Sequence, residues 1–199
     1  MKRRQENPQN KQEFLFQYFV DCSSESLQLR RMLHRLIAAL KDHFNLREME
    51  VPPTEERLRW GLIRFIEAAA KKYQNARMVI VLDGVNRLQS PGSPDGTLKW
   101  LPVSLPQSVR FVVSTVERVP GTGQIHRSYQ ELKRRQCPVL RIQPLTKDAC
   151  IGIMKTFASE HYQALKLDRD QQARVMDAPA SSQPLFLRAL AHEKRAHSA

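Results

Sequence analysis

Glycine is scarce in this chain, with 7 residues in 199 against 12 prolines. That leaves little room for flexible low-complexity linkers or Gly-rich ligand loops, and no GxxxxGKS/T phosphate-binding loop occurs. Gly121-Thr122-Gly123 and Gly92-Ser93-Pro94-Asp95-Gly96 lack both the lysine and the strand-loop-helix context. The three cysteines, Cys22, Cys137 and Cys150, are odd in number, widely spaced and form no CxxC pair. This argues against a disulfide framework or a zinc ribbon and for a reducing compartment. Long hydrophobic runs are absent too, since Met78–Leu82 falls far short of the ~20 residues a membrane-crossing helix needs. The basic start Met1-Lys2-Arg3-Arg4 before Phe14-Leu15-Phe16 has the outline of a secretory signal, but Glu6, Glu13 and Gln17 interrupt it and no small-residue cleavage site follows. No serine sits in a tight Gly-flanked turn of the hydrolase kind. His34, His43, His126, His161, His192 and His197 show no metal-ligand spacing with cysteine or acid.

Acids are in short supply: 20 against 32 Lys and Arg, a formal net charge of +12. A basic chain invites an anionic partner, nucleic acid among them. The cations are dispersed, however: Arg30, Arg31 and Arg35 in one segment, Arg57, Arg59, Arg64, Lys71 and Lys72 in another, Lys133, Arg134 and Arg135 in a third. That distribution is that of solvated helix faces, with a groove assembled in three dimensions as the alternative.

What is present is an alternation of strand and helix patterns. A polar tail spans residues 1–13, and Phe14–Val20 is aromatic and β-branched enough for a buried strand. Ser24 is a plausible N-cap for a helix whose apolar stripe is Leu29, Met32, Leu33, Leu36, Ile37 and Leu40. Pro52-Pro53 breaks the chain, Thr54 can cap, and Leu58, Leu62, Phe65, Ile66, Ala69 and Tyr73 mark a second helix ending near Asn75. Met78–Leu82 reads as a parallel strand buried on both faces. After a loop over Ser90–Gly96, Val109–Thr115 is a third strand. A short helix carrying Ile125, Tyr129 and Leu132 follows, and Val139–Ile142 reads as a fourth strand. Beyond Thr146 the pattern is helical: Cys150, Ile153, Met154 and Phe157 form a stripe, Asp168–Met176 is shorter, and Pro184 opens a last helix. The fold class is therefore α/β, with a sheet domain over 14–145 and an all-helical subdomain over 146–199.

The chemistry-bearing segment is Val79-Ile80-Val81-Leu82-Asp83-Gly84, an apolar strand ending in an acid, the form of a Walker B motif. A carboxylate there lies in the crevice where open α/β sheets bind ligands and can hold Mg²⁺ beside nucleotide phosphates. Turn chemistry is the plainer alternative for such an Asp.

The stretch from Asp83 to Leu88, through Leu98-Lys99-Trp100-Leu101-Pro102 and Leu105-Pro106 to Val109–Thr115, resembles the NACHT module of STAND-class P-loop NTPases. Within that class it is most similar to the nephrocystin and telomerase-associated type, which joins the NTPase to tetratricopeptide or WD repeats. The strand and helix over Phe14–Leu40 and the Gln183-Pro184-Leu185-Phe186-Leu187 segment also resemble parts of that module. The resemblance implies an incomplete parallel P-loop sheet, ATP and magnesium as cofactors, a cytoplasmic location, and protein partners engaged through repeats outside this chain. It assigns Asp83 to magnesium, Ser114 and Thr115 to the sensor position that reads the γ-phosphate, and Pro184 to the proline that lies against the adenine. The plainer readings are an ordinary strand end for Ser114-Thr115 and an ordinary first-turn helix residue for Pro184.

Two departures from the family pattern shape the expectation. Val85-Asn86-Arg87 stands where many NACHT proteins carry a further acid, so no second carboxylate is placed to activate water, which argues against hydrolysis. The phosphate loop and its central strand, which in the family precede the segment equivalent to Phe14–Val20, are missing. The expected chain is thus a fragment of a nucleotide-binding scaffold truncated at its start. A non-catalytic interaction remnant is the alternative, and a basic nucleic-acid-binding module the weaker one.

Overall fold

The computed structural model describes residues 13–74, 76–93, 97–160 and 169–196. The polar tail to residue 12, Asn75, Pro94-Asp95-Gly96, His161, Asp168 and His197 lie outside the described residues. Three apolar segments form a parallel sheet in the order β1 (Glu13–Phe19), β2 (Arg77–Asp83), β3 (Val109–Val113). The register aligns Phe14 with Met78 and Val109, Phe16 with Ile80 and Phe111, and Tyr18 with Leu82 and Val113. Side chains alternate across a strand, so these rows share one face, and that face is packed into the core. The chain is α/β.

Two helices between β1 and β2 complete that core. α1 (Leu29–His43) buries Leu29, Met32, Leu33, Leu36, Ile37 and Leu40, the whole stripe that the sequence pattern marks. Each such leucine contributes about 1.5–3 kcal/mol when fully buried. Ser23, not Ser24, is the capping serine, and it caps a 3₁₀ turn over Ser24–Leu27. The chain is diverted at Gln28 because Leu29 donates to the Gln89 carbonyl at 2.9 Å and Gln89 donates to that of Leu27 at 2.8 Å. α2 (Glu55–Lys72) is capped by Thr54 and carries Glu55 and Glu56 in its first turn and Lys71 and Lys72 in its last, charges that suit the helix dipole at both ends.

The connection from β2 to β3 has little regular structure beyond a 3₁₀ turn at Val85–Arg87, yet it buries Val85, Leu88, Leu98, Trp100 and Leu101 in the same core. α3 (Arg127–Arg134) adds Leu132. The opposite sheet face differs from the expectation of a strand buried on both sides: Val79 and Val81 are half-buried, while Leu15 is 61 % exposed and Val112 54 %.

The chain divides into two compact units, Met1–Cys137 and Pro138–Ala199. The sequence places the change of character near Pro144-Leu145-Thr146; the segment between is 138–145. The expected strand at Val139–Ile142 is not formed: these residues have no regular structure, and Leu140 is 91 % exposed. Alternating apolar residues make a strand only where a neighbouring strand supplies hydrogen bonds, and among the described residues β3 pairs with β2 alone. The second unit contains α4 (Lys147–Glu160), α5 (Arg169–Asp177) and α6 (Pro184–Ala196) around Cys150, Met154 and Leu187.

Candidate functional site

Parallel strands end together, and their carboxyl ends form the sheet edge at which open α/β folds take ligands. β2 ends at the exposed Asp83, and β3 runs out into Ser114 and Thr115. The Asp83 carbonyl accepts from the Val20 amide at 3.0 Å, tying the exit of β1 to that of β2. Gly84 follows with φ +77°, a left-handed turn in which a side chain is strained although space is available. That turn sends the backbone away from the strand and leaves the Asp83 side chain at the edge.

Ser114 engages this turn three times. Its hydroxyl donates to Asp83 Oδ1, its Oγ accepts from the Gly84 amide at 2.8 Å, and its carbonyl accepts from the Val85 amide at 3.0 Å. Asp83 and Ser114 therefore form one constellation, and the carboxylate is oriented by a hydroxyl from the adjacent strand. Thr115 faces elsewhere. Its hydroxyl pairs with that of Ser128, a fully buried residue in the first turn of α3, and Ser128 in turn pairs with His126 Nδ1 at 2.7 Å. A threonine hydroxyl held in this way fixes α3 to the strand end. Pro184 is the exposed first residue of α6 and belongs to the second unit.

Three contributors were not legible in the sequence. Asp21, at φ +69° just beyond β1, places a second carboxylate after the neighbouring strand, but an ion pair to Arg87 at 2.9 Å engages it. Ser128 and His126 carry no local motif, and only the approach of α3 to β3 brings them to Thr115. α3 is itself secured from the other side. Arg135, just beyond its end, donates to the carbonyls of Leu101 at 2.9 Å and Leu98 at 3.0 Å and to Glu131 at 2.8 Å. Hydrogen bonds from Arg134 and then Arg135 pull the Glu131 carboxyl down to about 2.

For a magnesium nucleotide the fit is partial. Magnesium is commonly bound through one or two carboxylates together with substrate phosphates and water, a demand that an exposed, oriented Asp83 meets. Among the described residues no group of three or more His, Cys, Asp or Glu is placed to hold a metal ion unaided. A phosphate cradle is not offered by Gly121-Thr122-Gly123, which forms a tight turn: the Gly123 amide donates back to the Val119 carbonyl at 3.0 Å and the Val119 amide to Gln124 at 2.7 Å. Among the described residues, Asp83 thus suits the metal end of such a ligand, while the Gly121–Gly123 turn does not suit its phosphates. No helix among the described residues is long and apolar enough to cross a membrane. Comparisons with protein-family models, curated proteins and solved structures found no match to this chain.

Proposed function

We propose that this chain supplies the Asp83 edge of a NACHT-type nucleotide-binding module, a cytoplasmic switch or scaffold of the STAND P-loop class that binds ATP with magnesium in its complete form and meets protein partners through repeats outside this chain. In this reading Asp83 contacts magnesium, Ser114 orients Asp83, and hydrolysis is not the chain's task. The observation that carries it is the hydrogen bond from the Ser114 hydroxyl to Asp83 Oδ1 across the carboxyl ends of adjacent parallel strands. Turn chemistry alone would account for a lone Asp before Gly84; it does not call for a hydroxyl from the neighbouring strand on the carboxylate.

The test is ATP binding with and without Mg²⁺, measured on this chain and on the longest natural reading frame that contains it. Asp83→Ala is expected to weaken magnesium-dependent binding about a hundredfold or more, and Ser114→Ala about tenfold, the low end of the 10–100-fold that orienting partners of metal ligands are commonly worth. Binding that is independent of magnesium, or equal in the Asp83→Ala variant, overturns the proposal.

A second reading, a protein-interaction remnant without nucleotide, is favoured by the exposed apolar side chains on one sheet face: Leu15, Val112 and Phe19, the last 48 % exposed. The same titration separates the two, because that reading expects no ATP binding in either form.

A further inference from the structure

The first turns of α1 carry Arg30, Arg31, His34 and Arg35, a spacing of i, i+1, i+4 and i+5 that places all four on adjoining rows of one helix side. With Ser23, Glu25 and Ser26 from the turn before α1 and Tyr18 from β1 they line an open cavity of about 260 Å³. Three guanidiniums and one carboxylate leave an excess of two positive charges around it. Glu25 engages Arg31 at 3.1 Å. Arg35 lies over the Tyr18 ring, 5.6 Å from its centroid, and Arg30 donates to the Pro53 carbonyl at 2.8 Å. Among the described residues no carboxylate pairs with Arg30 or Arg35.

This arrangement costs the helix stability. Like charges at i, i+4, as in Arg31 and Arg35, destabilise by about 0.2–0.5 kcal/mol per pair, and the positive end of the helix dipole adds to the repulsion. A dianion in the cavity removes both penalties, and guanidinium groups offer parallel N–H donors to tetrahedral oxyanions. We propose that the cavity binds a phosphate dianion, either free or as the terminal group of a small phosphomonoester. It shares no residue with the Asp83 constellation, and the proposal stands independently of the nucleotide reading.

The test is calorimetric titration of the full chain at fixed ionic strength with inorganic phosphate, glycerol 3-phosphate and dimethyl phosphate. The first ligand, or the first two, should bind with one-to-one stoichiometry, and the singly charged diester about tenfold more weakly or not at all. Binding of inorganic phosphate alone identifies the free ion as the ligand; binding of both identifies the monoester group, and either result supports the site. Arg31→Gln with Arg35→Gln should weaken binding about tenfold or more. Arg64→Gln with Lys71→Gln, the same charge removed from exposed positions of α2, should leave it unchanged. Glu25→Gln should tighten binding, because it releases Arg31. Equal loss in the two double variants, equal affinity for the diester, or no gain in Glu25→Gln overturns the proposal and assigns the binding to diffuse charge. Should the Arg31/Arg35 double variant fail to fold by circular dichroism, Glu25→Gln decides.

Discussion

Arg135 ties the end of α3 to the Leu98–Leu101 segment, more than thirty residues away in sequence. Its side chain is 11 % exposed, and the carbonyls of the buried Leu98 and Leu101 that it satisfies have little recourse to water. Removing a buried donor leaves its acceptors unsatisfied, at about 1–3 kcal/mol. Arg135→Met is therefore expected to destabilise unit 1 by about 2–3 kcal/mol in urea unfolding, and Arg135→Lys by less, since an ammonium keeps the charge and a donor although it cannot reproduce the planar fork. Glu131 adds a pH signature. Its folded value of about 2 lies below the ordinary value of 4.5, so the unfolded chain binds its proton first as pH falls. The stability it contributes is complete above about pH 4.5 and is lost as pH drops toward 2. The stability difference between the native chain and Glu131→Gln should shrink steadily over that window; a difference constant with pH would show that the carboxylate is not held by the two arginines. None of this clamp was visible in the sequence, where Lys133-Arg134-Arg135 reads as a cationic helix end. Asp83 and Ser114 were legible because each closes a strand, and a strand end is fixed by hydrophobic pattern; where Thr115 turns its hydroxyl depends on a helix that no local pattern ties to it.

Among the elements, α2 contains a local rule broken for a tertiary reason. Gly61 lies buried in its interior, where glycine costs roughly 0.5–1 kcal/mol relative to alanine. A Cβ at that position would come within 2.9 Å of Pro52 Cγ and 3.3 Å of Pro52 Cδ. The ring belongs to the Pro52-Pro53 segment that returns the chain from α1 to α2, so it has little freedom to move aside. Gly61→Ala should thus fail to deliver the usual gain in helix stability and instead lower the unfolding free energy in urea by about 1 kcal/mol, with Gly61→Leu worse. A stabilised Gly61→Ala would mean that the Pro52 loop yields readily. The helices and three strands were readable because each carries its own periodicity and is long enough to bury what that periodicity exposes. Val139–Ile142 forms no strand for the converse reason. Its apolar residues fit a strand, but strand formation requires a partner edge, and that requirement lies outside the segment.

Across the whole molecule, the apolar surface is unevenly used. One face of the sheet, α1 and α2 form a continuous core, and the second unit builds a smaller one around Cys150, Met154 and Leu187. Between them the chain passes through 138–146 without regular structure, exposing Leu140 and, at 90 %, Ile142. Proteases require an extended backbone that can enter their cleft, which makes such segments the favoured point of cleavage in a chain of packed units. Limited chymotrypsin digestion is expected to cut first after Leu140, ahead of the exposed Phe19 and Trp60, which are held in β1 and α2. The larger product should retain the helical circular dichroism of α1 and α2, because their buried contacts lie wholly within unit 1. Leu140→Pro should slow that first cut without changing thermal unfolding, since the residue makes no packed contact to lose. First cleavage within β1 or α2 would instead mean that the sheet unit opens more readily than the segment that follows it, and that the exposed sheet face weakens the fold more than its packed face suggests.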